Sequence, residues 1–226
     1  ILILLEKLAS DNTVPDNVTD RLNSIRINAE KLRKYCNDIL DLRKADHLKS
    51  RFVKKTEDIV RLIKKSESAF ATVIANKDIT IHLDLPEEPI FVNCNEESVE
   101  TIICNLLSNA VKFAHNNIYI GCRVLNGYLR IAINNDGERI DPELSEKIFD
   151  AFYQIQRPDN YGSGVGLTFS RQLALMHEGK LYLDITEEKL TSFVLELPLN
   201  DSETDSISAG APKEADDIAE NSIDDR

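Results

Sequence analysis

Residues 105–114 read NLLSNAVKFA, an apolar stretch interrupted by two asparagines and a lysine. Asn105, Asn109 and Lys112 are spaced four and three residues apart, so on a helix they share one face. The neighbouring apolar positions predict that the other face is buried, and they are Ile102, Ile103, Leu106, Leu107, Ala110 and Val111. Asparagine is a poor helix former because its amide competes for backbone hydrogen bonds. The stretch therefore predicts a helix whose polar stripe (Asn105, Asn109 and Lys112) serves something other than helix stability.

Two further clusters carry turn-forming residues. The glycine segment, residues 162–167 (GSGVGL), places three glycines directly before a predicted helix over residues 166–178. Glycine allows close approach of the backbone to a ligand, and a helix start offers free N–H groups to a phosphate. The segment matches neither the P-loop nor the dinucleotide fingerprint, and taken alone it is more commonly explained as a flexible loop. Residues 134–138 (NNDGE) end a predicted strand with a turn signal.

The elements around these clusters predict helices on one side of a largely antiparallel sheet, a two-layer α/β sandwich. Residues 57–76 predict one helix, and Asn95 predicts the N-cap of the helix that carries the polar stripe. Asn126-Gly127 is a strong hairpin signal between two of the strands. The predicted strands are residues 79–85, 91–92, 118–124, 128–134, 180–186 and 192–197.

Ahead of this fold, residues 18–43 carry apolar side chains that advance by alternating steps of four and three. This spacing predicts a heptad seam. Residues 1–9 read as the end of a preceding helix, so we expect a helical hairpin that a second copy of the chain completes into four helices. The seam consists of Val18, Leu22, Ile25, Ala29, Leu32, Cys36 and Ile39.

The charge is concentrated at the end of the chain. The formal net charge is −12, and from Asn200 onward nine acidic residues against two basic ones leave −7. Residues 200–226 contain few large apolar side chains, which predicts a disordered acidic tail. The sequence shows no basic face of the kind that nucleic-acid binding requires. The scattered cysteines predict free thiols rather than a zinc site, and the opening ILILLEKL is too short to span a bilayer.

Together, the three clusters resemble the catalytic ATP-binding domain of sensor histidine kinases. That domain has the Bergerat (GHKL) fold, shared with gyrase-type ATPases, mismatch-repair ATPases and a heat-shock chaperone. The resemblance covers roughly residues 50–198 and implies ATP and Mg²⁺ as cofactors. It implies that Asn109 binds the Mg²⁺ bridging the nucleotide phosphates, that Asn105 lines the same site, and that Lys112 supplies positive charge to a phosphate.

The resemblance also implies which residues surround the nucleotide. Phe149 and Phe152 resemble the F box at the base of the ATP lid, residues 150–166, although ordinary core packing explains both equally well. His177 matches a family position at a helix end and is expected to be structural. Besides the polar stripe, the implied nucleotide-binding set is Asn135, Asp136, Gly137, Ile140, Phe149, Phe152, Gly162, Ser163, Gly164, Val165, Gly166 and Leu167.

The helical hairpin also resembles the dimerisation and phosphoacceptor domain of these kinases, in the style of hybrid sensors. The implied α+β architecture has a partial hairpin over residues 1–48, the ATP-binding domain over 49–199 and the acidic tail over 200–226. Gyrase-type and repair ATPases lack such a hairpin, which argues against them.

The chain departs from the family pattern in two respects. The family's phosphoacceptor histidine lies in a His-Glu-x-x-Thr-Pro-like stretch of the first helix, which we expect before Ile1, and none of the four histidines stands in that context. The family reads adenine with the aspartate of Asp-x-Gly-x-Gly. Aligning on Gly137 puts Asn135 at that position and Arg139 at the second glycine. A neutral amide is a weaker acceptor than a carboxylate.

The resemblance therefore implies the cytoplasmic catalytic core of a bacterial sensor histidine kinase, which transfers the γ-phosphate of ATP to a histidine in two-component signal transduction. It implies a homodimer through the N-terminal helices, a response regulator or receiver domain as partner (in trans or in the same chain), and membrane attachment only through upstream segments. The departures leave open a degenerate module that dimerises and relays conformation without turnover. A serine kinase of the same fold is a third alternative, which the hairpin disfavours.

Overall fold

A computed structural model describes residues 18, 21–22, 24–26, 28–29, 52–155 and 164–199 of the chain. The described positions between 18 and 29 are helical, and two seam residues among them, Val18 and Ile25, are 39% and 51% exposed. The rest of the predicted hairpin and the predicted acidic tail lie outside the described residues. None of the described helices combines the length and the apolar character that crossing a membrane requires.

The described chain alternates between short strands and helices. In chain order the strands are β1 (Lys55–Asp58), β2 (Thr80–Asp84), β3 (Phe91–Cys94), β4 (Asn117–Leu125), β5 (Tyr128–Asn135), β6 (Lys180–Leu183) and β7 (Thr191–Pro198). The α-helices are α1 (Ile59–Ser68), α2 (Ala71–Asn76), α3 (Glu96–Phe113) and α4 (Gly166–Met176), and short 3₁₀ turns lie at Pro142–Leu144 and Lys147–Phe149.

One layer of the fold is a five-stranded mixed sheet in the order β2-β4-β5-β7-β6. Strands β2 and β4 are parallel, and the other neighbours are antiparallel. Strands β1 and β3 pair separately as an antiparallel ribbon. The turn between β4 and β5 has positive φ at Asn126 (52°) and Gly127 (77°), as a type I′ hairpin turn requires, so the predicted hairpin is confirmed.

Helix α3 lies against α1, α4 and β5 and supplies much of the core. All six apolar positions predicted for its inner face are buried, and each such large side chain contributes roughly 1.5–3 kcal/mol relative to exposure. Asn95 caps the helix as predicted, because its Oδ1 accepts from Ser98 N at 2.9 Å. The mixed sheet with helices agrees with the predicted α/β sandwich.

The prediction of a single helix over residues 57–76 is wrong. Residues 55–58 form β1 instead, because they pair with β3, a strand that lies more distant in the sequence. Asp58 then caps α1 by accepting a hydrogen bond from Arg61 N at 3.2 Å. The helix also breaks between α1 and α2, and Val73 on α2 is 46% exposed. Helical periodicity alone does not reveal such a strand pairing or break.

Candidate functional site

The polar stripe of α3 meets the glycine segment at the start of α4. Asn105 Nδ2 donates to Gly166 O at 3.3 Å and to Ser170 Oγ at 3.0 Å. A Cβ added to Gly166 would lie 3.7 Å from Asn105 Cγ, so the third glycine packs directly on the amide. The structure thus brings together two clusters that are 61 residues apart in the chain.

Asn109 and Lys112 continue the stripe by one and two turns, and both are half-buried. The Asn109 amide forms no hydrogen bond with the described part of the chain. Its carbonyl oxygen is the kind of hard ligand that Mg²⁺ prefers. Lys112 Nζ lies 4.6 Å from the centroid of the Phe113 ring, which places a cation near the end of the helix.

The end of β5 approaches the end of α3 very closely. A Cβ on Gly137 would lie 1.9 Å from Phe113 O and 2.8 Å from Asn135 Nδ2, so glycine is required there. Asn135 is only 3% exposed, and its Nδ2 is buried with no hydrogen-bond partner. Most buried polar groups in folded proteins are hydrogen-bonded, so this donor is available to a partner other than the described residues.

The carboxylate of Asp136, the next residue, is hydrogen-bonded to several groups of the chain. Its carboxylate accepts from the backbone N–H of His115 at 2.8 Å, from that of Asn116 at 3.0 Å, and from Asn117 Nδ2 at 3.0 Å. Burial alone would raise the pKa of Asp136, but hydrogen bonds from residues 115–117 outweigh it and lower the pKa to about 2. The carboxylate therefore ties the loop after α3 to the end of β5.

The two ends of the predicted lid are held together at its base. Phe152 N donates to Gly164 O at 2.8 Å. Both residues have positive φ, 68° at Phe152 and 72° at Gly164, and a Cβ on Gly164 would lie 2.6 Å from Phe152 C. Gly162 and Ser163 lie outside the described residues.

Core packing explains the position of Phe149 but does not explain that of Phe152. Phe149 is buried, with its ring centroid 6.3 Å from that of Phe193 and the Arg171 guanidinium 4.7 Å away. Phe152 is 58% exposed. Of the remaining implied residues, Val165 is buried, whereas Ile140 and Leu167 are half-buried and pack on the core.

Arg139, at the family's second glycine position, turns towards the loop between β6 and β7. Its Nη2 donates to Glu187 O at 2.9 Å. The same stretch of backbone is held by Thr191 Oγ1, which donates to Glu138 O at 3.2 Å. The bulky side chain is thus accommodated at the edge of the site by a bond to that loop.

His177 is structural, as expected. It is buried, its Nδ1 donates to Leu173 O at 2.7 Å, and its Nε2 accepts from Asn95 N at 3.0 Å. Burial lowers the pKa of His177, which agrees with a neutral ring that uses one nitrogen as donor and the other as acceptor. The ring joins the C-terminal end of α4 to the cap of α3, a contact that sequence spacing does not reveal.

None of the cysteines that the structure describes forms a disulfide, and Cys94 and Cys122 are buried whereas Cys104 is half-buried. Burial raises the pKa of Cys122 to about 12, so this thiol is not poised for chemistry. Across the described ranges, no cluster of His, Cys, Asp and Glu side chains could hold a metal ion on its own.

The comparisons with known proteins agree with this arrangement. Residues 94–201 match the family described as "Histidine kinase-, DNA gyrase B-, and HSP90-like ATPase". This stretch contains α3, the end of β5, the glycine segment and α4. Residues 94–201 are therefore similar to ATPases of the GHKL class, and the resemblance drawn from the three clusters is confirmed.

Within that class, the similar proteins are sensor histidine kinases. TmoS of Ectopseudomonas mendocina, a sensor histidine kinase, is 31% identical over 183 residues, which are 78% of this chain and 19% of TmoS. Its name agrees with the enzyme class expected from the sequence. The present chain thus spans about a fifth of the length of that curated relative.

Two solved structures share the fold. Full-length ShkA in complex with AMPPNP has a TM-score of 0.69 at 20% identity, over 82% of this chain and 40% of that one. Histidine kinase ThkA in complex with the response regulator protein TrrA has a TM-score of 0.67 at 22% identity, over 88% of this chain and 55% of that one.

Proposed function

We propose that this chain is the ATP-binding catalytic core of a sensor histidine kinase, which transfers the γ-phosphate of ATP to a histidine. The contact of Asn105 with Gly166 and Ser170 carries the proposal, because it joins the polar stripe to the glycine segment beside the uncommitted amide of Asn109. The sensor histidine kinase relatives support it.

Each of the proposed site residues has a different role in nucleotide binding. Asn109 Oδ1 is the proposed Mg²⁺ ligand, Lys112 neutralises phosphate charge, and Asn105 positions the start of α4. The glycine segment and the first turn of α4 offer backbone N–H groups to the phosphates. When bound, Mg²⁺ supplies charge neutralisation at the phosphoryl oxygens. Positioning and charge neutralisation are the main demands of phosphoryl transfer, and these residues meet both.

The remaining implied residues form the walls and lid of the same site. Val165, Ile140 and Leu167 contribute apolar surface, and the Phe152–Gly164 bond holds the lid base. Asn135, Asp136 and Gly137 line the end of β5, where Asp136 acts by fixing the loop after α3. Phe149 supports the lid from the core.

We further propose that the N-terminal residues 1–48 form a homodimerisation hairpin, followed by the ATP-binding domain (49–199) and an acidic linker (200–226). The exposed seam residues Val18 and Ile25 support the hairpin. A response regulator or receiver domain is the proposed partner, as TrrA is for ThkA. The proposed location is the cytoplasmic side of a membrane-anchored sensor.

The test is nucleotide binding by the 226-residue chain, measured by titration calorimetry with AMPPNP and Mg²⁺. We expect Asn109→Ala to weaken Mg²⁺-dependent binding at least about tenfold, since a metal ligand is lost. Ser108→Ala, an exposed neighbour on the same helix, is the matched control and should bind like the wild type. Equal affinity of wild type and Asn109→Ala would refute the site assignment.

Turnover separates a kinase from the degenerate module. In a version of the protein that carries the phosphoacceptor histidine, Asn109→Ala should abolish autophosphorylation from radiolabelled ATP. Nucleotide binding without any phosphate transfer in the wild type would favour the non-catalytic alternative.

A further inference from the structure

A row of charged side chains crosses the five-stranded sheet on the face that points away from the core. Arg123 on β4 lies opposite Arg130 on β5, which lies opposite Glu196 on β7, and Glu196 lies opposite Lys180 on β6. Directly opposite residues share one face of a sheet. Consecutive residues of a strand alternate between faces, and the strand neighbours of this row belong to the core. Those neighbours are Cys122, Leu129, Ile131, Leu181, Leu195 and Leu197.

This basic row (Arg123, Arg130, Glu196 and Lys180) stays positive after its internal ion pair is counted. Arg130 Nε lies 3.1 Å from Glu196 Oε1, and Arg130 Nη2 donates to Tyr182 Oη at 2.8 Å. Arg123 and Lys180 are both exposed. Three cations and one anion give the row a net positive charge, in a chain whose formal net charge is −12. The four residues are scattered in the sequence, so only the strand registers bring them together.

The chain leaves the described fold directly beside the basic row. The next row on the same face consists of Leu125, Tyr128 and Pro198, and the first two of these are exposed. Rows that share a face lie about 7 Å apart, because they are two residues apart along a strand. Leu199 N donates to Gly127 O at 2.9 Å, so the backbone is held to the β4–β5 turn up to Leu199. The residues that follow Leu199 therefore start within reach of the row.

Those following residues carry acidic side chains with a matching spacing. Asp201, Glu203 and Asp205 alternate with a serine and a threonine. In an extended chain, alternate side chains point to the same side, so all three carboxylates can face the sheet together. Five extended residues span about 13 Å, and four neighbouring strands span about 14 Å. The acids thus have the spacing that the width of the basic row requires.

We propose that this acidic segment (residues 201–205) docks on the basic row of its own chain, with its carboxylates against Arg123 and Lys180. Exposed ion pairs are individually weak. Attachment through a few residues, however, gives the segment an effective concentration of about the millimolar range, which favours docking. The docking determines the path that the acidic tail takes from the domain. It does not depend on nucleotide binding, so it goes beyond the proposed function.

The test is limited proteolysis of the full 226-residue chain with a glutamate-specific protease at about 20 mM salt, where screening is weak. Cleavage after Glu203 reports on the docked segment, and cleavage after Glu214, beyond that segment, is the internal reference. Mass spectrometry gives the ratio of the two rates. In Arg123→Gln/Lys180→Gln the ratio of cleavage after Glu203 to cleavage after Glu214 should rise at least about threefold, because the docked segment is released to the protease.

The matched control is Lys55→Gln/Lys64→Gln, which removes the same charge from two exposed positions on β1 and α1, outside the five-stranded sheet. Its ratio should equal that of the wild type. Raising the salt to about 0.5 M should increase the ratio in the wild type, because salt screens exposed charges, and this measurement needs no variant to fold.

Three outcomes would overturn the docking. An unchanged ratio in Arg123→Gln/Lys180→Gln and at high salt would show that the segment does not contact the basic row. An equal rise in the two double variants would reveal a general effect of net charge. Protection of Glu203 that increases with protein concentration would assign the segment to the basic row of a second copy, against docking within one chain.

Discussion

Two neighbouring side chains at the end of β5 show how similar groups acquire different roles. Asn135 points into the helical layer and its Nδ2 finds no hydrogen-bond partner among the described residues, whereas both carboxylate oxygens of Asp136 accept hydrogen bonds from residues 115–117. The difference follows from the alternation of a strand, which sends consecutive side chains to opposite sides. One residue is therefore available to a ligand, and the other holds a loop.

Asp136→Asn should lower the free energy of unfolding by about 1–2 kcal/mol at pH 7, because charge-assisted hydrogen bonds to backbone N–H groups are lost. Since the pKa of Asp136 is lowered from 3.8 to about 2, its stabilisation is present above pH 3.8 and is lost as the pH falls towards 2. Urea unfolding at pH 7 and pH 2.5 measures both effects. Asp84→Asn, an exposed control, should leave stability unchanged.

The lowered pKa of His177 predicts that the stability of the protein also depends on pH in a higher range. Because burial lowers its pKa below 6.5, the unfolded chain binds a proton more readily, and stability declines as the pH falls below 6.5. Urea unfolding between pH 7.5 and pH 5 should show this decline in the wild type and much less of it in His177→Gln. His115→Gln, at an exposed histidine, should keep the wild-type slope. An unchanged slope in His177→Gln would contradict the assignment.

At the scale of elements, the site depends on close approaches between α3, α4 and the end of β5. Asn105 bonds to the first turn of α4, and Gly137 packs against the last carbonyl of α3. His177 joins the other ends of the two helices through the Asn95 cap. These three contacts fix the polar stripe relative to the glycine segment.

Gly137→Ala should destabilise the protein by about 2–3 kcal/mol and weaken nucleotide binding, because the added Cβ meets Phe113 O at 1.9 Å and forces α3 away from β5. Thermal unfolding and AMPPNP titration provide the two readouts. Gly121→Ala is the matched control, since the nearest atom to its Cβ is Asp84 O at 4.0 Å, and its stability should stay within about 0.5 kcal/mol of the wild type. Equal stability of the two variants would refute the packing argument.

At the scale of the whole molecule, the ATPase domain and the N-terminal seam have different requirements. The domain buries its apolar side chains within one chain, in a core shared by the sheet and the helices. Seam residues Val18 and Ile25 stay exposed in the single chain. An apolar heptad seam is stabilised when a second helix covers it.

Ile25→Glu should therefore shift the chain from dimer to monomer, because it places a charge in the seam, while AMPPNP binding stays unchanged. Sedimentation velocity at tens of micromolar protein provides the measurement. Ser24→Glu adds the same charge one position away from the seam and should remain dimeric. A monomeric wild type over this concentration range would count against the proposed dimer.

The sequence by itself determined the elements that rest on local chemistry. The polar stripe and its apolar opposite face, the Asn95 cap and the Asn126-Gly127 turn all follow from helix periodicity, capping and positive-φ preference. The three clusters together also indicated the class of ATPase. Whether each named residue binds nucleotide stays a prediction.

Only the tertiary structure decided what depends on contacts distant in sequence. The pairing of residues 55–58 with β3 replaced the start of a predicted helix, and Phe152 lies exposed while Phe149 is buried. The unpaired amide of Asn135 and the bonded carboxylate of Asp136 are equally invisible in the sequence. Local patterns determine which face of an element is apolar, but partners are set by how elements pack, and packing is a property of the whole chain.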